Sequence, residues 1–192
     1  HRLSSAASDV YKRQFLNSSL GYSDYAGSGT VHLCGAAAAL AVVHVLGPRK
    51  GKYNSDGSSN VIAGSNIPMA ALGVWILWLG WFGFNGGSEL VVSNESAAIN
   101  VSQVFLNTNI AAAGGVVASL MISQLVKGKM DITMAMNGAI AGLVAITAAP
   151  SAPSAGAALL IGAVGGIIVY FSILGLDKRG IDDPVGAISA HG

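Results

Sequence analysis

The sequence predicts an all-α membrane protein with about five complete spans and the start of a sixth, and three observations predict it. Charge is scarce: 10% of the 192 residues are charged against 52% hydrophobic, with a mean hydropathy of +0.59, where a soluble chain carries about 25% charged residues. The charges that exist leave long runs with none, at 25–48, 96–126 and 132–176. Beyond the first fourteen residues, the basic side chains sit only at Arg49, Lys50 and Lys52, at Lys127 and Lys129, and at Lys178 and Arg179, which are alternate loops of such a chain. Hydrophobicity of this order excludes disorder, and a single cysteine, Cys34, excludes a disulfide scaffold. The formal net charge of +1 gives no indication of a nucleic-acid partner.

The elements follow in order. Residues 4–14, SSAASDVYKRQ, resemble the in-frame translation of a sequencing-library adapter, so 1–14 is set aside as a non-native segment, with Arg2, Asp9, Lys12 and Arg13 leaving the charge count. Asn17-Ser18-Ser19 fits a glycosylation sequon and carries little weight. The first span covers 25–46 and is closed by Gly47-Pro48. A polar linker leads to Asn66-Ile67-Pro68, a cap followed by a first-turn proline, which opens a second span running to about Phe84. The third lies between Glu95 and Lys127 and starts with polar residues suited to a protein-buried or watered face. Pro150 and Pro153 divide the last long run into spans over 132–149 and 157–176. Each has a small-xxx-small pair, Gly138 with Gly142 and Gly162 with Gly166, read first as generic close packing. A sixth span opens at Asp183-Pro184. By the positive-inside rule the basic loops are cytoplasmic, so the first span runs inward and Asp24 is outside.

The candidate chemistry centres on histidine. His32 follows Asp24 by eight residues within DYAGSGTVH, which places it about 12 Å deeper along a helix, near the middle of a hydrocarbon layer about 30 Å thick. His191 follows Asp182 by nine residues and enters from the opposite face to a depth of about 13 Å. Ionisable groups at such depth are functional candidates by default. Two neutral imidazoles, each with one donor and one acceptor nitrogen, can exchange a proton or bind a small polar solute, and two separately satisfied buried histidines are the plainer alternative. His44 lies about 120° round the helix from His32 and receives no role. In GWFGFNGGS, residues 80–88, glycines leave aromatic faces beside thin backbone, able to screen or hold a cation or simply to line the interface. Trp75 and Trp78 are read as packing or lipid contacts.

DYAGSGTVH, PRKGKY, GWFGFNGGS, NGAIAGLVAITA and DDPVGAISAHG, in this order and spacing, resemble the ammonium transporter family, the Amt, Mep and Rhesus group. The resemblance runs over about 23–192, with 15–192 as the partial transporter domain. It implies a fragment of an eleven-helix fold built from two inverted repeats of five helices, a homotrimer when full-length, and one pore per subunit. By motif, His32 and His191 resemble the twin histidines of the pore and Phe84 the inner of two stacked phenylalanines. Ser88 resembles the hydroxyl residue of an outer ammonium site, Asp24 the acidic residue supporting that site, and Trp81 a pore-lining tryptophan. Gly186 stands where some bacterial members carry a second aspartate, which leaves the early contacts of that last helix open. The family's outer gating phenylalanine and cation-facing tryptophan belong upstream of Phe15.

The function so implied is ammonium or ammonia transport through an apolar pore in the plasma or cytoplasmic membrane, without cofactor or bound metal. A cytoplasmic regulatory protein is a further implied partner, beside the lipid bilayer. An ammonium sensor of the same fold is the alternative. An intramembrane enzyme is disfavoured by the absence of HExxH, of GxSxG and of a second acidic residue within a span.

Overall fold

The computed structural model describes residues 17–192; the boundary drawn after residue 14 falls outside them. After a helical turn at 17–20, six helices follow: α1 Ser28–Leu46, α2 Ile67–Gly87, α3 Glu95–Lys127, α4 Ile132–Ile146, α5 Ala155–Lys178 and α6 Ala187–His191. Four of them, α1, α2, α3 and α5, are long and apolar enough to cross a membrane.

Side-chain caps set most of the starts. Asn66 accepts the Met69 N–H at 2.9 Å, Asn94 that of Ala97 at 2.9 Å, Asp131 that of Thr133 at 2.9 Å and Ser154 that of Ala157 at 3.3 Å, each satisfying a donor that a first turn leaves open. Gly47 and Gly128 end α1 and α3 at positive φ. α4 departs from the expected 132–149 by stopping at Ile146. Its next residue, Thr147, turns its hydroxyl onto the Leu143 carbonyl at 2.6 Å. The carbonyls of Thr147 and Ala148 then receive the N–H groups of Ala26 and Tyr25 at 3.1 and 2.8 Å. The chain leaves the helix because its backbone is used to anchor the entry to α1.

α3, α4 and α5 form the core. Ten of the fifteen residues of α4 are buried, and Leu143, Ile146, Val169, Ala111, Ala112 and Ala158 are at most 1% exposed. Glycine makes this approach possible. A Cβ on Gly162 would run into the Ala111 carbonyl, and one on Gly115 into that of Gly138. α2 packs on α3 and α4, while α1 rests chiefly on α6. Trp75 and Leu79 of α2, and Val45 and Leu46 of α1, are all more than 70% exposed, as suits side chains meeting lipid or further protein.

Polar contacts fix the two ends of the bundle. At one end Tyr25 donates to Glu89, which also accepts Asn100 Nδ2 at 2.5 Å, and Asn107 Nδ2 donates to the carbonyls of Pro150 and Pro153 at 2.8 Å each. At the other end Arg49 pairs with Asp182 and Lys52 with Asp177, both at 2.7 Å. The basic loops therefore gather at one end, and Asp24 and Ser88 stand toward the other.

Candidate functional site

The local sequence shapes the start of α1 around Asp24. This carboxylate, 1% exposed, accepts the N–H groups of Gly27 and Ser28 on Oδ1, at 3.1 and 2.8 Å. Oδ2 takes the N–H groups of Gly29 and Thr30 at 3.1 and 2.9 Å, the Thr30 hydroxyl at 3.0 Å and the Tyr22 hydroxyl at 3.1 Å. Burial alone would raise its pKa, but these bonds from Thr30, Ser28 and Tyr22 prevail and hold the carboxyl below the usual range. Gly27 must follow because its φ is 104° and an added Cβ would sit 2.6 Å from the Val31 side chain. The first turn is then π-helical over Ser28–Leu33, with the His32 N–H bonded to the Gly27 carbonyl at 3.0 Å.

α6 repeats this design in reverse orientation. Asp183 accepts the N–H groups of Ile188 and Ser189 at 3.1 and 3.0 Å. Gly186 has φ 72°, and a Cβ there would lie 2.5 Å from the Asn137 amide oxygen. The contacts left open at Gly186 are thus those of a left-handed entry residue. Depth is counted from Asp183; Asp182, from which the sequence reading measured, instead faces Arg49.

The two helices bring His32 and His191 together. Their Nδ1 atoms are 3.1 Å apart and their rings 5.0 Å apart at 25°. Trp81 lies parallel to His32, at 4.9 Å and 15°, and extends to His191 at 6.4 Å. Phe84 closes the group at 5.4 Å from His32 and 5.8 Å from Trp81. Two Nδ1 atoms at this separation share one proton, so one ring is the Nδ1–H tautomer and the other is not. The neutral pair is left with one bare Nε2 and one Nε2–H. His32 Nε2 is buried and has no hydrogen-bond partner among the described residues. The space beside His191 is an apolar groove of about 250 Å³ lined in part by Leu33, Ala141, Val144 and Ile168.

A buried polar chain holds Trp81 in place. Its indole N–H donates to Thr147 Oγ1 at 2.8 Å, Thr147 stands 3.2 Å from Asn85 Oδ1, and Asn85 Nδ2 donates to Thr108 Oγ1 at 3.0 Å. Asn85, Thr108 and Thr147 are fully buried. The indole plane is thereby fixed against the imidazoles by groups on two helices and a turn.

Of the residues singled out from sequence, His32, His191, Trp81 and Phe84 form one cluster. Ser88 lies a turn beyond Phe84, donates to its carbonyl at 2.8 Å, and keeps oxygen lone pairs for a donor from outside. Asp24 stands behind the cluster, its oxygens occupied by the start of α1. Asp183, Asn85, Thr147 and Glu89 were missed. D-x-x-G-x-x-x-x-H occurs twice, at Asp24–His32 and Asp183–His191, and comparing the two stretches finds Asp183 at once.

The profile of the Ammonium Transporter Family matches residues 7–192. The chain belongs to this family. It is 48% identical over 177 residues to "Ammonium transporter Amt2" of Archaeoglobus fulgidus, covering 92% of this chain and 37% of that one. The "Ammonium transporter" of Bacillus subtilis is 36% identical over 174 residues, 90% of this chain and 40% of its own. Among solved structures, one titled "Sensor Amt Protein" superposes with a TM-score of 0.84 at 42% identity, over 89% of this chain and 41% of that one. Candida albicans Mep2 gives 0.79 at 32% identity, over 91% and 37%. The chain thus spans about two fifths of the length of these relatives and is an integral membrane segment of an ammonium transporter fold.

Proposed function

We propose that the protein containing this segment moves ammonium nitrogen across the membrane as ammonia, through an apolar pore whose centre is the His32–His191 pair. The observation that carries this reading is the 3.1 Å contact between the two Nδ1 atoms inside an apolar, aromatic surround. An ammonium ion stripped of water there would lose solvation worth several kcal/mol or more, whereas ammonia loses a few hydrogen bonds and regains them at imidazole. The bare Nε2 accepts an ammonia N–H, and the Nε2–H donates to the ammonia lone pair. Potassium has no proton to leave behind and is turned away by the same cost.

Other residues take graded roles. Ser88 offers an acceptor to ammonium arriving from outside, and Phe84 and Trp81 give it aromatic faces. Asp24 acts at one remove, by holding the start of α1 and by its negative field; its oxygens are already taken, and a carboxylate bound directly to the cation would oppose loss of the proton. No residue has a catalytic role, and the protein is not an enzyme. A homotrimer with one pore per subunit, and a regulatory protein at the basic face, complete the proposal. Ammonium sensing is the second reading, favoured by the likeness to a structure titled as a sensor.

The test is flux in a full-length transporter containing this segment. His32→Ala and His191→Ala should each reduce ammonium-dependent flux at least tenfold while leaving the amount of assembled protein unchanged, and His44→Ala should do neither. Normal flux in both alanine variants would end the pore reading; binding without flux in the unaltered protein would favour the sensor.

A further inference from the structure

We propose that Arg49 and Asp182 are positioning residues that set the register of the His32–His191 pair from the basic end of the bundle. α1 carries His32 and ends at Leu46, three residues before Arg49. The Arg49 guanidinium grips Asp182 with two bonds, Nε to Oδ2 at 2.7 Å and Nη2 to Oδ1 at 2.8 Å, and its own N–H adds a third at 2.9 Å. Asp182 is 4% exposed. The next residue, Asp183, holds the first turn of α6 through the N–H groups of Ile188 and Ser189, and His191 ends that helix. One peptide bond separates the clasp from the cap, so the end of one histidine helix is fastened to the beginning of the other. A fork of this kind fixes direction as well as distance, which a lysine point charge does not.

Its neighbour shows what the clasp is not. Lys52 pairs with Asp177 at 2.7 Å, and Asp177 also accepts the Ser59 hydroxyl at 2.6 Å and that of Tyr53 at 3.3 Å. These bonds bind the same loop to the end of α5, which carries neither histidine. Losing them loosens the loop without touching the cap of α6.

This assignment rests on the transport reading for its consequence but not for its test. In a full-length transporter containing this segment, the structure of the Arg49→Gln variant should show the Nδ1 atoms parted from 3.1 Å to beyond hydrogen-bond reach. Flux per assembled molecule should fall several-fold. Arg49→Lys should recover part of both, Arg49→Gln with Asp182→Asn should recover part by removing the stranded charge, and Lys52→Gln should change neither. Where Arg49→Gln does not assemble, Asp182→Asn alone serves, since it keeps the size of the side chain. Rings still in contact after loss of the clasp, or rings displaced as far by Lys52→Gln, would overturn the assignment. An unaltered protein without flux would sink the transport reading, while ring separation would still decide the clasp.

Discussion

Asp24→Asn is the most exacting test of how α1 is held. The substitution keeps the shape of the side chain and exchanges one acceptor oxygen for a donor nitrogen. Six donors converge on the carboxylate, two on Oδ1 and four on Oδ2. In the less costly orientation the amide oxygen keeps the four at Oδ2, and its nitrogen confronts the N–H groups of Gly27 and Ser28. An orphaned buried backbone donor costs about 1–3 kcal/mol. The Ser28 N–H is only part-buried and falls at the low end, so the pair amounts to about 2–4 kcal/mol. For a chain of this size that is a fall in unfolding temperature of roughly 4–16 °C. The loss also frees the Gly27 turn on which the His32 N–H is hung, so flux should decline with stability. Thermal unfolding in detergent, followed by flux in liposomes, measures both. An Asp24→Asn variant that melts within about 2 °C of the parent and transports normally would show that the carboxylate does not organise this turn.

The glycine seam predicts a sharp contrast within α5. Gly162→Ala drives a methyl into the Ala111 carbonyl and should cost at least about 1–3 kcal/mol by detergent denaturation, whereas Gly156→Ala, with open space around it, should be neutral or stabilising by up to about 1 kcal/mol. For acid stability, Arg49 holds the Asp182 carboxyl below its ordinary range, and the bonds around Asp24 do the same against burial. Groups depressed on folding add stability that is complete above the unfolded pKa of about 3.9 and is lost as pH falls through the lower folded value. The gap in unfolding temperature between the parent and a variant with Asp24→Asn and Asp182→Asn should therefore hold level down to about pH 5 and close below about pH 4, and a gap already closing between about pH 7 and 5 would contradict this. In a full-length transporter lacking Cys34, Val92→Cys should react with an impermeant thiol reagent from outside intact cells and Lys129→Cys only after permeabilisation; the reverse would invert the orientation.

The membrane fold was legible because three signals coincided: scarce charge, charge-free runs, and basic residues on alternate loops. The end of α4 was not. Thr147, Ala148 and Ala149 read as a continuation of an apolar helix, and nothing local shows that two of their carbonyls serve Tyr25 and Ala26, more than a hundred residues earlier. Depth alone brought both histidines near the same plane, since each ring stands a fixed number of residues from an acidic helix start, and left two separately satisfied rings as the alternative; the family resemblance is what joined them. The polar chain from Trp81 to Thr108 was not accessible, because Asn85, Thr108 and Thr147 are ordinary residues of three separate segments until packing aligns them. Glu89 was passed over for the same reason, its partners being Tyr25 and Asn100.

Asp183 was misjudged for a different reason. Two adjacent aspartates invite the choice of the first, and Asp182 gives a depth within one residue of the correct one. Physical chemistry separates them only once their donors are known: Asp182 meets a guanidinium and a backbone N–H from the end of α1, while Asp183 meets two backbone N–H groups of its own helix. The first joins the two histidine helices and the second orients one of them. An aspartate that caps, a glycine at positive φ three residues later and a histidine five beyond that is a unit for carrying an imidazole into a membrane at fixed depth. Used twice in opposite directions, it makes the two rings meet, because equal rises from opposite faces converge on the same plane. The spacing of eight residues between acid and imidazole is then a geometric requirement: an insertion or deletion of one residue in either unit would turn its ring by about 100° and shift it by about 1.5 Å, enough to separate Nδ1 atoms that are 3.1 Å apart.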